Sequence, residues 1–476
     1  MNRWAKLDQE FVWHPFTQMR DWLKEEPIVI TGGKGALLRD ANGNEYVDGN
    51  SSIWTNLHGH NHPRINRAIA RQLKQIAHSS ALGFANAPAA ELAAQLVKLA
   101  RLPKGAPGLN NPRLTKAFFS DDGSTALEVA LKLSYESTRR TRPGTKPRFL
   151  GIDGAYHGDT VGAVSVGHID LFHKAYAGLL FKSDKVMAPY CYRCPFNKAK
   201  PERADARSYR KCRWECVNQV EQVFGKAAKQ KRPITGFVYE PLMQGAAGCI
   251  AQPKDWLRKT TRIARQAGAQ LIADEVMTAF GRCNASATKL FASHEEGIQP
   301  DFLCVAKGLT GGYVPMAATL TTKAVFDAFL GDYSEFKSFF HGHSFYGNQI
   351  GASASLASLD VLTGEKCSDS RPRIRSTLKD ELQRFWELPQ VGDIRQVGSV
   401  VGIELVKDWR RRIPFPLQAQ AGIKVCRGMA KRGVLTRPIG NVVLLMPPYC
   451  TTDRQIRKLV GACYDSVAES LPLPPA

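Results

Sequence analysis

Gln270-Leu271-Ile272-Ala273-Asp274-Glu275 and Asp301-Phe302-Leu303-Cys304-Val305-Ala306-Lys307-Gly308 decide how this sequence folds. Each is a short apolar run that ends in charge: two acids in the first, a lysine in the second. Apolar runs without polar alternation suit strands covered on both faces, the condition of parallel sheets. A helix-length segment separates the two runs, as a parallel crossover requires. A right-handed crossover places Asp274 and Lys307 at one edge of the sheet. That carboxyl edge is where open α/β sheets bind ligands.

Charges at the ends of buried strands are costly unless paired. One explanation is an Asp–Lys salt bridge without chemistry. The other is an aldehyde cofactor. Lys307 would bond covalently to its aldehyde carbon, and Asp274 would keep its pyridine nitrogen protonated so that the ring withdraws electrons. A lysine released from that bond can carry a proton between substrate and cofactor carbons. The two runs alone leave both explanations open.

Outward from this pair, Thr115–Ser120, Arg148–Ile152 and Gly236–Glu240 read as further buried strands, with amphipathic stretches such as Asp255–Gln266 between them. The alternation predicts an α/β region with a mostly parallel sheet. Past residue 345 the pattern changes: a helix at Gln349–Leu362, a strand at Val397–Leu405 within Val391–Val406, a helix over 418–432 and a strand at Asn441–Leu445. These predict a smaller α+β domain over 346–476, a large domain over 66–345, and an N-terminal segment, 1–65, that joins the small one. Leu471–Ala476 is a Pro-rich end.

Ser120-Asp121-Asp122-Gly123-Ser124-Thr125-Ala126-Leu127-Glu128 follows a strand and opens a helix. Gly123 allows close approach of a ligand to the backbone. Ser124 and Thr125 offer hydroxyls, and the helix start offers free N–H groups, so the segment suits a phosphate. Thr125 and Glu128 also fit a capping box. A plain capped helix would carry the same residues.

The bulk numbers set limits. The chain has 476 residues, 43% of them apolar and 23% charged, enough for two or three packed units. No stretch nears the roughly 18 apolar residues that cross a bilayer, and the charged N-terminus does not read as a secretory signal. Eleven cysteines, an odd number, argue for reduced thiols and a cytoplasmic protein. The net charge of +22 is high. Its basic residues are scattered, with small clusters at Arg139–Arg148, Lys229–Arg232 and Arg410–Arg412 and no nucleic-acid-binding motif. Neither a nucleic-acid nor a membrane partner is expected.

Together these motifs resemble the class III (fold type I) aminotransferases, in the family's order from near residue 11 to near 450. Asp274-Glu275-Val276 with Phe280-Gly281-Arg282, Ala306-Lys307-Gly308 with Gly311-Gly312, and Ala155-Tyr156-His157-Gly158-Asp159 carry the likeness. The resemblance implies pyridoxal 5'-phosphate on Lys307 and a ring stacked on Tyr156. It implies a homodimer in which the His341-Gly342-His343-Ser344 segment reaches the partner's phosphate through Ser344, with Gly342 beside substrate. Trp13–Met19, Asp48–Trp54 with His58-Gly59, and Arg437-Pro438 leading to Met446–Tyr449 are most similar to the biotin-pathway branch. That implies amino transfer to 8-amino-7-oxononanoate. Arg437 would then clamp its carboxylate, Trp54, Phe16 and Tyr156 would line its stem, and Asp159 would hold a second amine. S-adenosylmethionine and lysine both stand as donors: Ile53, Phe16 and Ile439 occupy places where many S-adenosylmethionine users carry aromatic rings. A broader ω-amino acid or diamine aminotransferase, or a non-catalytic basic protein on the same fold, are the competing readings.

Cys191-Tyr192-Arg193-Cys194 and Cys212-Arg213-Trp214-Glu215-Cys216 bracket a basic insert. Such pairs hold zinc in some proteins and act as redox switches in others. They are also simply free thiols in surface inserts. The short Gly-bearing turns common in structural zinc sites are missing here, and no metal is assigned.

Overall fold

Gln270–Asp274 and Phe302–Val305 pair in parallel, with Asp274 beside Cys304, in a seven-stranded sheet. The computed structural model describes residues 2–102, 111–199, 207 and 210–473. The sheet runs in the order Leu114–Ser120, Ala317–Thr322, Phe302–Val305, Gln270–Asp274, Gly236–Tyr239, Phe149–Ile152, Asp184–Val186. Ala317–Thr322 runs against its two neighbours, and the other pairings are parallel. The mostly parallel α/β fold expected from the sequence is therefore present, with two strands, Asp184–Val186 and Ala317–Thr322, that the apolar runs did not single out.

Side chains alternate across this sheet as strand geometry requires. Phe237, Tyr239, Leu271, Ala273, Leu303 and Val305 meet one helical layer, where Val220, Phe224, Trp256 and Leu257 lie. Phe149, Val238, Ile272, Phe302 and Cys304 meet the other, built on Ala126, Val129, Ala130 and Leu133 of the helix Gly123–Thr141. Both faces are dry, which is why the strands read as continuous apolar runs.

The crossover from Asp274 to Phe302 differs from expectation. It holds one short 3-10 turn, Ala292–Glu296, instead of an α-helix. It is held by Glu275, whose carboxylate accepts the Ala292 and Ser293 N–H groups. The single strand expected at Val397–Leu405 is a hairpin of Val391–Val397 and Val400–Asp408. Gly398 makes the turn at φ +61°, and a Cβ there would lie 2.1 Å from the Arg282 carbonyl oxygen. The hairpin continues into a sheet with Val442–Leu445 and Pro438–Ile439.

At the N-terminal end, Ile30–Lys34, Leu37–Asp40 and Glu45–Asp48 form a meander, and Glu45–Asp48 pairs in parallel with Val434–Leu435. The Pro-rich end at 471–476 lies partly outside the described residues. No helix among the described residues is long and apolar enough to cross a membrane.

Arg282 ties these parts together. Its buried guanidinium donates from Nη1 to the Pro447 carbonyl and from Nη2 to the Asn56 carbonyl, both at 2.8 Å, and lies 5.0 Å from the Tyr449 ring centroid. Hydrogen bonds to a charged group contribute roughly 1.5–3 kcal/mol each. Arg282→Ala should therefore lower unfolding stability by roughly 3 kcal/mol or more, read as a fall in the urea midpoint. An unchanged midpoint would deny Arg282 this role.

Candidate active site

The carboxyl ends of Gly236–Tyr239, Gln270–Asp274 and Phe302–Val305 open into a cavity of about 430 Å3. Its walls include Lys307, Asp274, Tyr156, Gly123, Ser124 and Trp54. Six of the residues singled out from the sequence thus converge on one space. Its size suits a bound cofactor with part of a substrate.

Asp274 is buried and doubly held. His157 donates from Nδ1 to Oδ2 at 2.7 Å, and the Val276 N–H donates to Oδ1 at 3.0 Å. Facing a carboxylate, Nδ1 must carry the imidazole proton. The other ring nitrogen, Nε2, is buried without a partner among the described residues. Lys307 follows the last sheet residues at φ +43°, a left-handed conformation rare for a side chain of its size. Its Nζ lies 4.6 Å from the centroid of the Trp54 ring. Burial holds the Lys307 ammonium below the ordinary lysine value, while the charges of Asp274 and Glu240 oppose that shift.

Trp54 is aimed by a strained turn. Ser51, Ser52, Ile53 and Trp54 all have positive φ, between 48° and 71°. Such residues cost about 1–2 kcal/mol each, so the turn persists only because it is pinned. Asp48 accepts from the Ser52 N–H at 3.0 Å, from Ser52 Oγ at 3.0 Å and from His60 Nε2 at 2.9 Å. Ser51 Oγ donates to the Met446 carbonyl at 2.6 Å.

The helix Gly123–Thr141 points its N-terminus at the same cavity. Its cap is Asp122, which accepts the Thr125 N–H at 3.0 Å, while Thr125 Oγ1 accepts the Asp122 N–H. The capping box is therefore Asp122–Thr125, three residues earlier than the expected Thr125–Glu128. Glu128 instead accepts from Thr160 Oγ1 and the Gly162 and Ala163 N–H groups. Thr125 is consumed by the cap and is not among the cavity walls. The Gly123 and Ser124 N–H groups have no acceptor among the described residues. Gly158 closes over this end: a Cβ there would lie 1.9 Å from Ser124 Oγ. Free N–H groups, a hydroxyl and a cradle that a side chain would fill form a fit for a phosphate. With Asp274 and Lys307 on the floor, the donor set fits a phosphorylated pyridine aldehyde.

Asp159 is exposed and outside the cavity walls, joined to them through Tyr156. It accepts from Tyr156 Oη at 2.7 Å and lies 3.3 Å from His173 Nε2. Burial, with Asp159 adding to it, raises the Tyr156 phenol well above its usual value. Phe16 lies outside the cavity walls and packs edge-on against Phe172, with centroids 5.2 Å apart. Gly342 and Ser344 are exposed and also outside the walls. The Ser344 carbonyl accepts from His78 Nε2 at 2.7 Å. Arg437 is exposed on the turn before Pro438–Ile439 and makes no ion pair among the described residues.

His157 and Glu240, both in the cavity walls, had no role in the sequence reading. His157 sat unremarked inside a quoted motif. Glu240 ends the Gly236–Glu240 run at the same sheet edge as Asp274, so the strand-end argument that found Asp274 applied to it as well. Glu240 accepts from the Tyr156 N–H at 3.1 Å and the Gly245 N–H at 2.8 Å. Burial, reinforced by Asp274 and opposed by His157, pushes its carboxyl up to about 7.

Residues 19–466 match the class-III aminotransferase family. The chain is 44% identical over 461 residues to the adenosylmethionine-8-amino-7-oxononanoate aminotransferase of Nitratidesulfovibrio vulgaris, covering 96% of this chain and 80% of that one. It is 41% identical to the protein of the same name from Geobacter sulfurreducens, covering 97% and 96% of the two chains. Among solved structures, the adenosylmethionine-8-amino-7-oxononanoate aminotransferase of Methanocaldococcus jannaschii superposes with a TM-score of 0.87 at 36% identity, over 98% of this chain and 99% of that one. An amine transaminase of an uncultivated Pseudomonas species in its PLP-bound form does so with a TM-score of 0.85 at 30% identity, over 97% and 99%.

Glu240 gives a pH signature. Its folded-state pKa of about 7 lies above the ordinary 4.5, so the folded chain keeps a proton that the unfolded chain releases. Its contribution to stability must then fall as pH rises from about 4.5 to about 7 and stay level above, a loss of about 3 kcal/mol. Glu240→Gln should remove that part of the slope in urea unfolding followed across this window. Parallel pH profiles for the two proteins would contradict the assignment.

Proposed function

The chain belongs to the class-III aminotransferase family, and on that premise we propose that it transfers an amino group to 8-amino-7-oxononanoate, giving 7,8-diaminononanoate in biotin biosynthesis. The observation that carries the reading is the meeting of Lys307, Asp274 and the open N-terminus of Gly123–Thr141 in one cavity. Pyridoxal phosphate is the cofactor. When bound it supplies a carbon that accepts an amine and a protonated ring that holds the electron pair left when a substrate C–H bond breaks.

The chain's own groups do the rest. Ser124 and the N–H groups of Gly123 and Ser124 bind the phosphate. Asp274, fixed by His157 and the Val276 N–H, is the group that would pair with the ring nitrogen. Lys307 anchors the cofactor and, as a free amine, moves the proton at the substrate carbon. Its lowered pKa leaves more of it as the neutral base this task needs. Trp54 and Tyr156 flank the reacting end and exclude water. Asp159 is oriented by Tyr156 to take a second amine. Arg437, with no carboxylate partner among the described residues, is left for the acceptor's carboxylate, a contact of roughly 1.5–3 kcal/mol.

S-adenosylmethionine is the proposed donor, supported by the names of the relatives. A homodimer belongs to the same proposal. Leu82, Phe84 and Phe340 are 86%, 74% and 72% exposed, and Phe345 is exposed beside His78. Apolar side chains left uncovered on this scale mark an interface. Ser344 adjoins Phe345 and His78, and in such a dimer it would reach a second copy's phosphate. The division into 1–65, 66–345 and 346–476 is supported by the pairing of Glu45–Asp48 with Val434–Leu435. A cytoplasmic setting suits an odd count of eleven cysteines.

The test is a product assay. Purified protein with pyridoxal phosphate, given 8-amino-7-oxononanoate and S-adenosylmethionine, should form 7,8-diaminononanoate by mass spectrometry. Product with lysine alone would reassign the donor. Product with neither, alongside turnover of general diamines, would overturn the acceptor. Lys307→Ala should abolish product while cofactor still binds non-covalently; normal turnover by that variant would remove Lys307 from its role.

A further inference from the structure

Four thiols stand outside this chemistry. Cys191 and Cys194 end a single 3-10 turn, Cys191–Arg193, across which the Cys194 N–H donates to the Cys191 carbonyl at 3.4 Å. Cys212 and Cys216 flank Trp214, whose φ of +63° is left-handed, and Cys216 falls in the first turn of Glu215–Lys229. All four line one small enclosed cavity of about 10 Å3, closed by Pro189, Pro253 and Trp214. That is room for one water-sized occupant.

The surroundings bring the two pairs together and supply charge. Asn197 Nδ2 donates to the Cys191 carbonyl at 2.9 Å, and its Oδ1 accepts the Lys211 N–H at 2.8 Å. The Lys198 N–H donates to the Lys211 carbonyl at 3.0 Å. Arg210 stacks over Trp214, with Cζ 3.6 Å from the ring centroid, and its Nη1 lies 3.5 Å from Cys212 Sγ. A cation beside a sulfur is what a cluster of thiolates needs.

We propose that Cys191, Cys194, Cys212 and Cys216 are the four ligands of one structural Zn2+. Each thiol gives its proton to solvent and forms one Zn–S bond, leaving a doubly negative centre that Arg210 partly offsets. Sulfur-only donors at C-x2-C and C-x3-C spacing select zinc over harder cations. Among the described residues no three His, Cys, Asp or Glu side chains are grouped as metal ligands without the ion, and the proposal requires the ion to draw together the four sulfurs that line this cavity. The effect is to lock a loop between domains. Tyr190 and Arg193 from this loop both donate to Glu404 on Val400–Asp408, and Arg193 Nη1 donates to the Arg412 carbonyl at 2.7 Å. Glu404 also accepts from Arg395, whose Nη2 donates to the Gly248 carbonyl at 2.7 Å, close in sequence to the Gly245 that holds Glu240.

The experiment uses holoenzyme from cells grown without added zinc and dialysed against metal-free buffer. Elemental analysis should find close to one zinc per chain, and X-ray absorption should find four sulfur scatterers at about 2.3 Å. A Cys194→Ser, Cys212→Ser double variant should lose the zinc and unfold at lower temperature while keeping pyridoxal phosphate. Should that variant fail to fold, the metal content and scatterers of the unaltered protein decide alone. Three results overturn the proposal: zinc far below stoichiometry with all the cysteines titrating as free thiols after unfolding, a mass deficit that reveals disulfides, or zinc held by nitrogen and oxygen.

Discussion

Parallel pairing of Gln270–Asp274 with Phe302–Val305 governs the site. A parallel pair brings the carboxyl ends of both strands to the same edge, so a negative and a positive side chain face one space in a dry interior. Neither can be left alone there, because burying an isolated charge costs several kcal/mol or shifts its pKa. The structure manages both. His157 and a backbone N–H hold Asp274, and the Lys307 ammonium is pushed below its ordinary value. A third strand adds Glu240 to the edge, with its carboxyl raised by the same burial. The site's chemistry is a consequence of which strand ends the sheet places together.

The walls come from far along the chain, and the wall at Trp54 is fixed by contacts between segments distant in sequence. The left-handed turn at Ser51–Trp54 would not hold by itself. Asp48, His60 and the Met446 carbonyl over-determine it, and Arg282 bonds the carbonyls on either side, Asn56 and Pro447. Strain of this kind gathers where a side chain must be aimed, and here it aims Trp54 at Lys307. The N-terminal segment, the crossover after Asp274 and the C-terminal sheet therefore form one support for a single wall.

Much of this was legible in the sequence because burial on both faces writes itself as uninterrupted apolar runs. Gln270–Asp274 is where the runs placed it, the expected strands Thr115–Ser120, Arg148–Ile152 and Gly236–Glu240 lie within a residue of their expected ends, and Phe302–Val305 lies inside the run Asp301–Gly308. Ala317–Thr322 escaped because its threonines mimic a loop; Thr319 is buried by donating to the Ala126 carbonyl at 2.7 Å. Glu365–Glu381 escaped because it is highly charged and carries Pro372 within it. The helix Asp453–Ser470 had a readable start, the Thr452–Gln455 capping box, that went unused. At the site, residues on strand ends and on the helix start were found by their own chemistry. Phe16, Asp159, Gly342, Ser344 and Arg437 were named by resemblance, and they lie outside the walls that one chain builds. Single-chain periodicity carries no signal for residues whose task is at a mouth or on a second copy.

The proposed placement of the cofactor on Lys307 underlies every step of the chemistry, and it can be read directly. Borohydride reduction of the protein with pyridoxal phosphate bound, followed by digestion and peptide mass mapping, marks the lysine that carries the cofactor. The geometry predicts the phosphopyridoxyl mass on the peptide containing Lys307 and on no other. Label on Lys185, the amine that burial lowers to about 8, or on no lysine at all, would contradict it.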